Sequence, residues 1–140
     1  MLTLTDRVAI VTGAAQGLGY AMAKMLSANG MTVAIADINR KKAEQSAAAI
    51  AASATAPVAG FACDVADNAS IAKLFTEVNA HFGRIDVLVN SAGIMNATKI
   101  ADITREEWDR MMAINLGGTF FMCQAAIPYL EKSRAGRIIN

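Results

Sequence analysis

Short apolar runs rich in β-branched residues alternate with helical patterns from one end of this chain to the other, and few folds accommodate that rhythm. The runs are RVAIVTG (7–13), MTVAIAD (31–37), PVAGFACDV (57–65), IDVLVNSAG (85–93) and the start of a fifth in GRIIN (136–140). RVAIVTG and MTVAIAD carry uninterrupted apolar centres, the pattern of a strand covered on both faces. Repeated strand–helix–strand units imply parallel strands joined by right-handed crossovers. The expected architecture is α/β, a doubly wound parallel sheet of Rossmann type in strand order 3-2-1-4-5. A crevice between strands one and four is then open to a ligand.

The helices announce themselves by spacing. Leu18, Met22, Met25 and Leu26 predict an apolar stripe on the first helix, with Gly30 as its stop. RKKAEQSAAAIAA (40–52) predicts an alanine-rich helix with its basic residues in solvent. Ile71, Leu74, Phe75, Val78 and Phe82 give the clearest period, with Asp67 or Asn68 as N-cap and Gly83 as stop. Thr104 and Glu107 have capping-box spacing and open a long helix through Trp108, Met111, Asn115 and Phe121. Gly117, Gly118 and Pro128 are costly inside it.

Composition narrows the field. The 140 residues suffice for one domain. A 54% hydrophobic and 18% charged content argues against disorder and suits a buried sheet. A net charge of +1 gives no reason to expect nucleic acid or an anionic membrane as partner. No apolar run reaches bilayer-spanning length, and the opening MLTLTDRVAIVTG lacks a signal-peptide pattern. Cys63 and Cys123 are far apart in sequence and read as buried thiols of a cytoplasmic protein. His81 is the single histidine, so no metal site is expected.

Gly13, Gly17 and Gly19 fall between a strand and a helix, where a dinucleotide loop belongs. Gly13 suits the tight turn off the strand, Gly17 a close approach of backbone to a pyrophosphate, and Gly19 close helix–strand packing. Amide groups at the helix start then face the anion. Asp37 ends the second strand, where a carboxylate accepts hydrogen bonds from a ribose 2′-hydroxyl and repels a 2′-phosphate. NAD is therefore expected over NADP, with Arg40, Lys41 and Lys42 close enough to soften the preference. Asp37 also reads as a helix N-cap.

Thr12-Gly13-x-x-x-Gly17-x-Gly19, Asp64-Val65, Asn90-Ser91-Ala92-Gly93 and Asn115 stand in the order and spacing of short-chain dehydrogenases/reductases. From its first residue to its last, the chain resembles the N-terminal part of such an enzyme. The resemblance implies cofactor contacts from Gln16 and Leu18 in the glycine turn and from Ala92 and Gly93 after strand four. It assigns Asp64 to the adenine amino group, and Val65 and Ile38 to the adenine ring. Asn90 would steady the sheet beside the ribose. Ser91 stands where the family usually has a second asparagine, which implies a changed hydrogen bond and an intact site. Asn115 matches an asparagine of the catalytic tetrad, whose backbone carbonyl holds a relay water at a helix irregularity. A homo-oligomer, dimer or tetramer, is implied through the helix from Trp108 to Leu130, with Phe120, Phe121 and Met122 serving either that contact or the core.

The family's catalytic Tyr-x-x-x-Lys pair has two imitations here. Tyr20 and Lys24 have the spacing, but they sit on the first helix beside the pyrophosphate turn, away from where hydride moves. Tyr129 and Lys132 are three apart, and Ser133 holds the position that needs lysine. Neither pair reads as catalytic.

The resemblance places the catalytic serine and the Tyr-x-x-x-Lys pair beyond Asn140. The expectation is a single NAD(P)-binding domain over 1–140 from a protein of roughly 240–260 residues. By itself it would be inactive, its parent an NAD-dependent oxidoreductase acting on a small alcohol or ketone. A non-catalytic nucleotide-binding or interaction module, and a 3-oxoacyl-thioester reductase using NADPH, are the competing readings.

Overall fold

The computed structural model describes residues 4–140. Five parallel strands, β1 (Val8–Thr12), β2 (Thr32–Asp37), β3 (Val58–Ala62), β4 (Val87–Val89) and β5 (Arg137–Ile139), form one sheet in the order β3-β2-β1-β4-β5. In register, Ile10 lies between Ala34 on β2 and Leu88 on β4. The sheet is the doubly wound architecture expected from the alternation.

β1 is buried at all five positions, and its period of two divides those positions between two cores. Val8 and Ile10 join Leu74, Phe75, Val78 and Met122 on one face. Ala9 and Val11 join Val33, Ile35, Ala43 and Ala47 on the other. Helices α1 (Gly17–Ala28) and α2 (Arg40–Ala51) cover the second face, while α3 (Asn68–Phe82) and α5 (Thr119–Leu130) cover the first.

The helix ends follow their local chemistry. Asp67 caps α3 by accepting the Ala69 N–H at 3.0 Å, and Gly83 terminates it at φ +81°. At the end of α1, the Gly30 N–H bonds Ser27 O and the Met31 N–H bonds Leu26 O, a Schellman stop. Thr104 and Glu107 form the full capping box of α4 (Arg105–Met112), at 3.1 and 3.2 Å. Among the described residues β5 pairs with β4 only, and Ile138 and Ile139 are exposed.

Three expectations need correction, and the irregularity expected in the long helix takes a definite form. The buried face of α1 is Gly19, Ala23 and Ser27. Met22 and Leu26 only flank it, while Leu18 and Met25 stand in solvent. A helix entering directly from a tight turn lies too close to β1 for large side chains, so small residues take the inner face. The N-cap of α2 is Asn39, accepting from Lys42 N, rather than Asp37. The long helix is not uniform: between α4 and α5, Ala113–Gly118 widens into a π-helical turn, with Gly117 and Gly118 inside it. Finally, the continuous helical stretch Arg105–Leu130 has a mean hydropathy of 1.2 over eighteen residues, enough by length and composition to cross a membrane. Interior polar positions such as Asn115 and Gln124 are uncharged, so they break the apolar run without lowering its average much.

Candidate functional site

Strands β1 to β4 run parallel, so the segments that follow them converge at one edge of the sheet. Thr12 joins two of these segments. Its hydroxyl oxygen accepts the N–H groups of Ser91 and Ala92, both at 3.0 Å. That draws the turn after β4 against Gly13, whose added Cβ would lie 2.8 Å from Ala92 Cα. On the other side, a Cβ on Gly19 would meet Gly13 O at 2.6 Å, so the first turn of α1 presses on the loop.

Gly17 differs from its neighbours. It has φ +60°, and a Cβ there would meet nothing within 4 Å. The glycine therefore keeps an open approach to the start of α1. That start is electrostatically bare: Gln16 offers no side-chain cap, and the first turn holds no acidic residue. Backbone N–H groups there retain their capacity for an outside anion.

A cavity of about 260 Å³ lies at this edge. Gly13 and Gln16 enter it after β1, Asp37 and Ile38 after β2, and Cys63, Asp64 and Val65 after β3. Ser91, Ala92, Gly93 and Ile94 follow from β4, and Arg110 and Ile114 close it from the helix. Of the residues expected at a cofactor site, Gly17, Leu18, Gly19 and Asn90 lie outside this lining. Leu18 is 81% exposed and Gly19 is buried under the loop.

The Asp37 carboxylate is held from two sides. Its Oδ2 accepts the Ala15 N–H at 3.2 Å and its Oδ1 the Asn39 N–H at 3.0 Å. Each oxygen keeps acceptor capacity toward the cavity. Lys42 Nζ donates to Gln16 Oε1 at the rim. Asp64 Oδ1 accepts the Ala66 N–H at 2.9 Å, which fixes its carboxylate. Burial pushes the neighbouring Cys63 thiol up to about 11, opposed by a hydrogen bond with Ser70. Cys123, expected to be buried, is only half-buried.

Asn115 lies in the π-helical turn and clamps the segment after β4. Its Nδ2 donates to Ile94 O and its Oδ1 accepts the Ile94 N–H, both at 2.8 Å. The Asn115 carbonyl accepts the Thr119 hydroxyl at 3.0 Å. Asn90 Nδ2 donates to Asn140 Oδ1 at 2.7 Å, and its buried Oδ1 has no donor among the described residues. Glu107 ties the entry of α4 to the same segment. The Thr104 N–H, the Thr98 hydroxyl and the Asn96 amide hold its carboxyl below the usual range.

Tyr20, on α1, is half-buried against the core of that face, and Lys24 is exposed. Tyr129 stacks on Phe75 at 5.5 Å, beside Asp86 at the opposite end of β4. Neither tyrosine lines the cavity. Sequence reading missed Arg110, Ile114 and Ile94. Arg110 and Ile114 are four apart on the helix and precede Asn115, a signal usable only once that helix face is known to meet the crevice.

A family model described as short chain dehydrogenase matches residues 7–140. A D-threitol dehydrogenase of Mycolicibacterium smegmatis is 44% identical over 137 residues, covering 98% of this chain and 52% of the relative. A sorbitol dehydrogenase of Cereibacter sphaeroides is 43% identical over 140 residues, covering 99% and 53%. The crystal structure of a short chain dehydrogenase from Mycobacterium smegmatis superposes with a TM-score of 0.90 at 31% identity, over 97% of this chain and 57% of that one. The chain thus spans about half the length of the curated relatives it matches.

Proposed function

Because this chain belongs to the short-chain dehydrogenase family, we infer that the protein is an NAD-dependent oxidoreductase interconverting a polyol and its ketone. The substrate class rests on relatives described as D-threitol and sorbitol dehydrogenases. The cofactor reading rests on Asp37. Its carboxylate stands at the cavity wall, held by the Ala15 and Asn39 N–H groups. A ribose diol donates to such a group, whereas a 2′-phosphate is repelled by it.

The residues present suit a dinucleotide. The bare N–H groups at the start of α1 would donate to a diphosphate, and the space kept by Gly17 lets it approach. Asp64 supplies an acceptor for an exocyclic amine, and Ile38, Val65 and Ile114 supply apolar walls for a ring. When bound, the nicotinamide supplies the hydride acceptor and donor. Asn115 holds Ile94, which lines the same cavity.

Proton transfer needs a tyrosine or an equivalent acid at the crevice, and Tyr20 and Tyr129 are both elsewhere. We assign that step to the part of the relatives' length that this chain does not span. By themselves the 140 residues hold the nucleotide without turnover. Exposed Trp108, Met112, Leu116 and Phe120, four apart along the helix, support a homo-oligomeric assembly through that face.

Calorimetric titration of the 140-residue chain and the full-length protein with NAD and NADP tests this reading. NAD binds more tightly to both, and Asp37→Ala weakens NAD about tenfold or more while relieving NADP. Equal affinity for the two cofactors overturns the Asp37 argument. A full-length protein that binds neither overturns the site.

A further inference from the structure

The cavity joins two acidic side chains, Asp37 and Asp64, with one cationic lining residue, Arg110. Arg110 is exposed on α4 and, among the described residues, makes no ion pair. One turn later Ile114 lines the same cavity, and one turn beyond that Gly118 lies against Val65, where a Cβ would come within 2.7 Å of Val65 Cγ2. Positions 110, 114 and 118 therefore form the helix face turned to Asp64 and Val65, with Arg110 outermost.

That arrangement is a slot for a flat amino-heterocycle. Val65 and Ile114 offer apolar contact, and Asp64 accepts from an exocyclic amine. Arg110 places a planar guanidinium at the mouth. A guanidinium is weakly hydrated and stacks on aromatic faces, which a lysine ammonium does not reproduce. We propose that Arg110 closes over the adenine ring of the bound dinucleotide, making it a cofactor-affinity residue on the rim that carries no charge pairing of its own. The proposal rests on the dinucleotide reading above.

The test is calorimetric titration of the full-length protein and its Arg110→Ala and Arg110→Lys variants with AMP, ADP-ribose and nicotinamide mononucleotide, at low and high salt. The side chain is exposed and makes no ion pair among the described residues, so both variants fold, which an unchanged Tm verifies. Arg110→Ala weakens AMP and ADP-ribose by the same factor, on the order of tenfold. The mononucleotide lacking adenine is unaffected, and Arg110→Lys does not restore affinity. The loss persists at high salt, because stacking is screened far less than a phosphate contact. Unchanged AMP affinity in Arg110→Ala overturns the proposal, as does rescue by lysine or a loss that vanishes with salt. Wild-type protein that binds ADP-ribose but shows no Arg110 effect rejects only this inference. Wild-type protein that binds no adenine nucleotide rejects the cofactor reading itself.

Discussion

Asn115 and Ile94 exchange two hydrogen bonds, Nδ2 to O and N–H to Oδ1, each 2.8 Å long. The pair joins the π-helical turn to the segment after β4, across 21 positions of sequence. Because the turn is widened, the amide side chain meets the Ile94 backbone edge-on and satisfies both of its polar groups. Asn115→Ala leaves those groups to water and costs about 1 kcal/mol of stability. Asn115→Asp costs more, since its second oxygen faces the Ile94 carbonyl. Chemical denaturation ranks the three; an aspartate variant as stable as wild type contradicts the clamp.

Gly17 and Gly19 differ in what a methyl group would meet. Gly19→Ala puts a Cβ 2.6 Å from Gly13 O, so α1 must shift, at about 1–3 kcal/mol. Gly17→Ala meets nothing but holds an L-residue at φ +60°, at about 1 kcal/mol. Its larger effect falls on nucleotide binding, because the methyl group occupies the approach to the helix start. Melting and titration of both variants should separate: Gly19→Ala loses more stability, and Gly17→Ala loses affinity out of proportion to stability.

Asp86 is buried beneath β1 and β4 and accepts from the Val8 N–H at 2.9 Å, from Arg84 at 2.6 and 2.8 Å, and from the Ser133 hydroxyl at 2.6 Å. Burial pushes its carboxyl up, but the bonds from Arg84, Ser133 and Val8 outweigh it and hold the group below the usual range. A depressed native pKa contributes stability that is complete above the unfolded value of ~3.9 and is lost as pH falls through the native one. Asp86→Asn therefore lowers stability by about 2 kcal/mol at pH 7. The gap between variant and wild type closes below about pH 4. A gap that stays constant from pH 7 to pH 3 refutes the linkage.

Cys63 and Cys123 should react at different rates. Burial raises the Cys63 thiol to about 11, leaving about a thousandth of it as thiolate at pH 8. Cys123 is half-buried at the helix surface. A disulfide reagent at pH 8 titrates Cys123 first, and Cys63 only slowly until denaturant opens the core. Equal native rates would contradict the burial of Cys63.

Local chemistry was readable where it acts within a few residues. The Thr104–Glu107 box, the Asp67 cap, the Gly30 and Gly83 stops and the Ile71–Phe82 stripe all occur as their spacing implied. The α1 stripe did not, because helical periodicity reports which residues are apolar and not how near the sheet lies. Asp37 resembled a cap by type and position, yet Asn39 sits two residues nearer the helix and takes that role. Gly117 and Gly118 signalled an irregular helix without saying that it widens into a π turn.

By itself, the sequence determined the parallel sheet, its order and the edge where its loops gather, because continuous apolar runs and short turns restrict topology. Only the tertiary structure decided which side chains share the crevice. Asp37, Asp64 and Arg110 come from three separate elements, and the Asp86 cluster joins residues 78 apart. Such neighbours are set by strand register and helix approach, and no periodicity within one segment records either.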